Sequence, residues 1–302
     1  MLYYRRKFIL ALFEIFGFYL SSRRIQKILF LATRGKEAPK VFEFVPFKYG
    51  SFSFQAAQDL STLVTLGYLQ EVVVEGHSGY QYIGTFSIID EIDMFDRQVL
   101  VDIKNKWGDA SEEELIKFAY TRYPFYAINS TIAQGMLSVQ EWEKICNQKK
   151  NLKKETESLF TIGYEGLTLE GYINKLILKD VHVLCDVRKN AFSMKFGFSK
   201  NLLQKACEGV GITYIHIPQL GIESEKRQEL HTQADYNRLF DEYEQTTLRE
   251  NYSYLKIITD AIKNQKRVAL TCFEKEPKTC HRSRVAKAVL SLNNKLPFEN
   301  IM

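Results

Sequence analysis

From residue 159 onward the chain alternates between two patterns. Short apolar runs at residues 159–162, 181–185, 213–217 and 267–272 are interleaved with stretches of helical periodicity at 168–178, 199–209, 234–264 and 281–292. The runs are too short to be helices and carry apolar residues on both faces. That pattern predicts a largely parallel sheet covered by helices on both sides, an α/β fold. Pro218 closes the third run. In such sheets ligands bind beyond the carboxyl ends of the strands.

The last strand and helix frame the most informative connection. A strand ends at Cys272, a tight loop carries Glu274, Glu276 and Pro277, and a helix opens around Cys280-His281-Arg282-Ser283. A helix start aims backbone N–H groups and a dipole at one spot, which suits an anion. Two other strand ends reach the same edge, one with Gly163-Tyr164-Glu165 and one with Asp186-Val187-Arg188. Arg188 and Arg282 are expected to clamp a phosphate or carboxylate. Gly163, Tyr164, Cys280 and Ser283 complete the expected lining. Asp186, Glu165 and His281 are the candidates for acid–base work, with Cys272 as a thiol alternative.

Plainer readings stay open at each position. Asp186 and Arg188 equally suit an internal ion pair, Gly163 a tight turn, and Cys272 a small core residue. Cys280 is either structural or a thiol acidified by the helix start. The spacing C-x7-C-H lacks the short cysteine pairs of structural zinc sites, so no metal is expected. Tyr164 and Phe198 are placed either to stack on a base or to pack. Rhodanese-like sulfurtransferases and cysteine phosphatases also set a thiolate at a strand end before a helix. Here Glu274 and Glu276 repel an anion, and Pro277 removes an N–H.

Several of these segments together resemble the DUF488 family. They are Thr161-Ile162-Gly163-Tyr164-Glu165-Gly166, Cys185-Asp186-Val187-Arg188, Gly197-Phe198-Ser199-Lys200 and Tyr214-Ile215-His216, followed by Cys272 and by Cys280-His281-Arg282-Ser283. The resemblance runs over about residues 160–292. It implies a fold and a site location, and no substrate.

The first half reads differently. Helices at residues 8–18, 23–33 and 54–66 precede a hairpin formed by 68–74 and 80–83, with a loop at 35–39 and a turn at 76–79. Helices followed by a hairpin outline a mainly helical, winged-helix-like domain. The stretches Phe47-Lys48-Tyr49-Gly50-Ser51-Phe52-Ser53 and Leu63-Val64-Thr65-Leu66-Gly67-Tyr68-Leu69 are similar to prophage-associated and antitoxin-like modules. Arg23, Arg24, Lys27 and Lys48 are the expected phosphate contacts. An aromatic-rich segment at 42–54 is the alternative, a protein interface. A polar Lys/Glu-rich linker at 147–157 separates a domain at 1–150 from one at 158–302.

Composition limits the choices. A net charge of +5 permits a polyanionic partner without requiring one. Five cysteines without scaffold spacing fit a reducing compartment, and a cytoplasmic location is expected. Arg5-Arg6-Lys7 before an apolar stretch has the outline of a signal peptide. Glu14 interrupts it and no small-residue cleavage site follows, so a buried first helix is expected and no membrane association. Three functions follow: a nucleic-acid-associated protein holding a phosphate-bearing ligand, an enzyme acting on a nucleotide or phosphorylated substrate, or an antitoxin- or defence-like interaction module. No cofactor is expected.

Overall fold

The computed structural model describes residues 2–35, 41–85, 87–227 and 230–302. Most of the loop expected at 35–39 lies outside them. The chain forms two compact units, Met1–Asn151 and Leu152–Met302.

The first unit opens with helix α1 (Tyr4–Phe16), in which every residue from Phe8 to Phe13 is fully buried. Its apolar stretch is core on all sides. Glu14 faces outward and accepts hydrogen bonds from the Ser87 hydroxyl and the Ile88 N–H. Strand β1 (Tyr19–Ser21) follows, then α2 (Ser22–Ala32), capped by the Ser21 hydroxyl on the Arg24 N–H. Strands β2 (Val45–Phe47) and β3 (Gly50–Phe52) pair with each other and lead into α3 (Phe54–Thr65). Strands β4 (Leu69–Val74) and β5 (His77–Tyr82) form the hairpin, turning at Glu75-Gly76, so His77 belongs to a strand. The antiparallel sheet order is β1-β5-β4. Helices α4 (Met94–Trp107), α5 (Glu112–Arg122), α6 (Ala133–Met136) and α7 (Val139–Leu152) complete the unit. Helix α7 takes the first half of the expected linker, because a Lys/Gln-rich run is as good a helix as a loop. Among the described residues, no helix is long and apolar enough to cross a membrane.

Two of the four expected phosphate contacts, Arg24 and Lys27, are turned into this unit. The Arg24 guanidinium donates to the Trp107, Gly108 and Ala110 carbonyls and so closes the C-terminal end of α4. Arg23 pairs with Glu112 at 3.3 Å and lies over the Tyr49 ring. Lys27 is 2% exposed and donates to the carbonyls of Tyr49 at 2.8 Å and Ser51 at 2.9 Å. Lys48 is exposed, as is Arg23. The aromatic segment is likewise more core than surface, with Phe42 and Phe44 buried.

Burial pushes the Lys27 ammonium down to about 7. Below that pH both folded and unfolded chains hold the proton. Above it, up to the unfolded value of about 10.4, the unfolded chain binds a proton that the folded chain has released. Stability should therefore rise between pH 7 and 9. Urea midpoints across this window check it, and Lys27→Met should flatten the rise.

The second unit is built on a five-stranded parallel sheet. Its strands are β6 (Ser158–Gly163), β7 (Val183–Asp186), β8 (Thr213–His216), β9 (Arg267–Cys272) and β10 (Phe298–Ile301), in spatial order β10-β6-β9-β7-β8. The α/β expectation holds, with β10 as an additional edge strand beside β6. Helices α8 (Leu169–Leu178), α9 (Lys200–Gly209), α10 (Gln233–Tyr243), α11 (Leu255–Gln265) and α12 (Arg282–Leu292) connect and cover the strands. Successive residues of β9 point to opposite faces. Val268 and Leu270 pack with Ile258, Ile262, Val285 and Val289 of α11 and α12. On the other face Thr271 accepts from the Tyr172 hydroxyl of α8 at 2.7 Å. Strand β9 lies between β6 and β7, so its carboxyl end has neighbours on both sides.

Candidate thiol–histidine centre

Cys272 is the last residue of β9 and stands beside Gly163 of β6 in the sheet register. Beyond it residues 273–279 double back through a short 3-10 turn, Pro277–Thr279, into α12. That return brings Cys280 and His281 over the end of the strand they follow. All three side chains are buried, and their ligand-type atoms lie within 4.8 Å of one another.

The hydrogen bonds give the cluster a direction. His281 Nε2 is 2.9 Å from the Val187 carbonyl oxygen. A carbonyl only accepts, so Nε2 carries the proton and the Nδ1 lone pair points the other way. Nδ1 lies 3.6 Å from the Cys272 sulfur, and the Cys272 thiol donates to Glu274 Oε2 at 3.3 Å. The Tyr243 ring meets the imidazole edge-on, at 5.8 Å between centroids, and holds its plane. Burial, then the neighbouring Cys272, pushes the Cys280 thiol well up. Burial likewise raises the Cys185 thiol, to about 12.

The loop is fixed from several sides. Backbone N–H groups of Tyr164 and Glu165 donate to the carbonyls of Cys272 and Phe273. The Glu165 carboxylate accepts from the Lys275 N–H at 2.9 Å, so this exposed residue anchors the loop. Arg282 donates from its two terminal nitrogens to the Glu274 and Lys275 carbonyls, and its buried Nε has no hydrogen-bond partner among the described residues. Gly163 supplies the space: a Cβ there would overlap the Glu274 carbonyl. The Ser283 hydroxyl donates to the Cys280 carbonyl at 2.8 Å.

The expected arginine clamp is not formed. The Arg188 guanidinium grips Asp186 through Nε and one terminal nitrogen, and the other terminal nitrogen donates to the Tyr164 hydroxyl and the Phe198 carbonyl, both at 2.9 Å. Asp186 also accepts from the Tyr214 hydroxyl at 2.6 Å. Burial and the adjacent carboxylate push that phenol up, which keeps it a donor. Asp186 and Arg188 are thus an internal pair rather than an acid–base group and an anion receptor. Tyr164 and Phe198 stack on each other, with centroids 4.3 Å apart. His216 bonds the Arg188 carbonyl.

Of the candidates, Cys272, Cys280 and His281 are brought together, with Glu274 beside them. In the sequence Glu274 is a charge hostile to anions and, with Cys185, a possible fourth ligand to a metal. Its position two residues after Cys272, with Pro277 turning the loop, was the signal that it folds back onto the thiol.

The sequence pattern of the family described as "Domain of unknown function DUF488" matches residues 168–289. The C-terminal unit carries a DUF488 match. The DUF488 span includes Cys272, Glu274, Cys280 and His281, whereas Gly163, Tyr164 and Glu165 lie just before it. No curated protein and no solved structure matches the chain.

Proposed function

We propose that the C-terminal unit is the catalytic part of a thiol-dependent enzyme, with Cys272 as the nucleophile and His281 as the base that takes its proton. The observation that carries this reading is the Nε2–H bond to the Val187 carbonyl, which leaves the imidazole lone pair toward the Cys272 sulfur. A base oriented by a third group is the general arrangement for activating a weak nucleophile. The position at the carboxyl edge of a parallel sheet supports it. Glu274 beside the sulfur disfavours a dianionic substrate, so an uncharged or cationic electrophile fits better.

The phosphate-binding reading has lost its donors. Arg188 and Arg282 both hold protein groups, and a phosphate would have to displace them.

Alkylation by iodoacetamide tests the thiol reading on the full chain, with peptide mass mapping to follow each cysteine. Cys185 and Cys207 are buried free thiols and set the floor. Cys272 should react at least about tenfold faster than either, and His281→Gln should bring it down to them. A Cys272 no faster than that floor in the wild-type protein would contradict the proposal.

For the N-terminal unit we infer a winged-helix module that meets protein rather than nucleic acid. The β4–β5 hairpin after three helices, paired with β1, supports the module. Neither α3 nor the β4–β5 hairpin contains a lysine or arginine, so the elements that would enter a groove lack phosphate contacts. Salt-sensitive binding of duplex DNA would overturn this inference.

A further inference from the structure

We propose that Cys272, Cys280 and His281 bind one soft divalent ion of the zinc class, and that its occupancy closes the thiol to electrophiles. The inference rests on Cys272 being the reactive group and adds a ligand and a mode of control.

The donor set is the first argument. Two sulfurs and one imidazole nitrogen, all buried, lie within 4.8 Å of one another. Tetrahedral zinc with bonds of about 2.3 Å to sulfur and about 2.0 Å to nitrogen needs donors roughly 3.5–3.8 Å apart. Side-chain rotation alone closes a gap of that size. Thiolate and imidazole together select zinc-class ions over magnesium or calcium.

The surroundings are the second argument. A metal-binding histidine characteristically donates its other ring N–H to a carbonyl or carboxylate, which fixes the tautomer and the ring. His281 does this through Nε2 to Val187, and Tyr243 supports the ring plane. The lone pair that faces the Cys272 thiol is the one a metal would use. Glu274 Oε2, 3.3 Å from the Cys272 sulfur on the less buried side of the cluster, stands where a fourth ligand or an activated water would sit.

The spacing C-x7-C-H lacks the short cysteine pairs of structural zinc sites, and here the fold of the loop supplies the proximity instead. The turn at Pro277–Thr279 and the Arg282 bonds to the Glu274 and Lys275 carbonyls fold the loop so that its two ends meet. Binding is a balanced exchange. The two thiols release two protons to solvent, the resulting thiolates neutralise the divalent charge, and no electron is transferred. With one sulfur lone pair and the neighbouring base engaged by the metal, Cys272 attacks an electrophile more slowly.

The test uses the full-length, reduced, metal-stripped protein and cobalt(II) as a spectroscopic probe, followed by zinc. One equivalent of cobalt should give a thiolate-to-metal charge-transfer band, and zinc should remove it. One equivalent of zinc should slow iodoacetamide labelling of Cys272 at least about tenfold while leaving the exposed Cys146 unchanged. Cys280→Ser and His281→Gln should weaken the band, and the wild-type titration stands alone if either variant fails to fold. Fast Cys272 labelling with no cobalt band would overturn the metal site and leave the thiol enzyme standing. A cobalt band with Cys272 slow in the metal-free protein would overturn both the gating and the thiol enzyme, since there would be no reactive thiol to close.

Discussion

Asp186→Ala should destabilise the protein by about 3–5 kcal/mol, the cost of leaving a buried charge without its partner. Asp186 is fully buried and Arg188 is 5% exposed. The carboxylate accepts from the Arg188 side chain, from the Arg188 backbone N–H at 3.1 Å, and from Tyr214. Its loss strands a guanidinium that cannot lose its proton and cannot reach water. The same guanidinium holds the Tyr164 hydroxyl and the Phe198 carbonyl, so the damage reaches the end of β6 and the start of α9. Urea unfolding at neutral pH measures the effect. The double variant Asp186→Leu/Arg188→Met should recover much of the loss, because paired apolar replacements of a buried ion pair are often tolerated. A single variant within about 0.5 kcal/mol of wild type would mean that the pair is not buried as described.

Gly163→Ala should be the more damaging change for the site itself. A methyl group there would overlap the Glu274 carbonyl oxygen and come within 2.6 Å of its carbon. Both are backbone atoms, so no side chain can rotate away and the loop between β9 and α12 must move. Overpacking of this kind costs about 1–3 kcal/mol, and backbone on both sides places it at the upper end. The loop carries Glu274 and sets where Cys280 and His281 lie. Cys272 labelling should therefore fall to the level of Cys185 even at temperatures where the variant remains folded. Gly166→Ala is the control. No atom lies within 4 Å of that Cβ, although its φ of +78° adds strain of about 1 kcal/mol. Its folded form should label like wild type.

The architecture was largely legible because burial on two faces leaves a period that helices and solvent-facing strands do not share. Strand β10 escaped because two of its four residues are exposed and Pro297 precedes it, so it lacks a continuous apolar run. β1 escaped because three residues carry no period at all. The site's position followed from the rule that ligands meet parallel strands at their carboxyl ends. Its wiring did not. Sequence places Asp186 and Arg188 two residues apart without saying that the guanidinium folds back between Tyr164 and Phe198. It places Arg282 at a helix start without saying that the side chain returns to the loop before it. Lys27 lies between Ile25 and Ile28 on α2, where a cation looks like a surface residue until the β2–β3 turn and β3 close over it with their carbonyls. In each case a long polar side chain reached a backbone carbonyl or a carboxylate that local pattern cannot locate. The convergence of Cys272, Cys280 and His281 depends in the same way on one turn.

The tautomer of His281 tests the central claim most directly. Nitrogen-15 NMR of the full-length, metal-free protein distinguishes a protonated ring nitrogen from a bare one, and His281→Gln assigns the signal. The account predicts a neutral ring with its proton on Nε2 and a bare Nδ1 facing the Cys272 sulfur. A proton resident on Nδ1, with Nε2 bare, would contradict it, because His281 would then have no lone pair to offer the thiol.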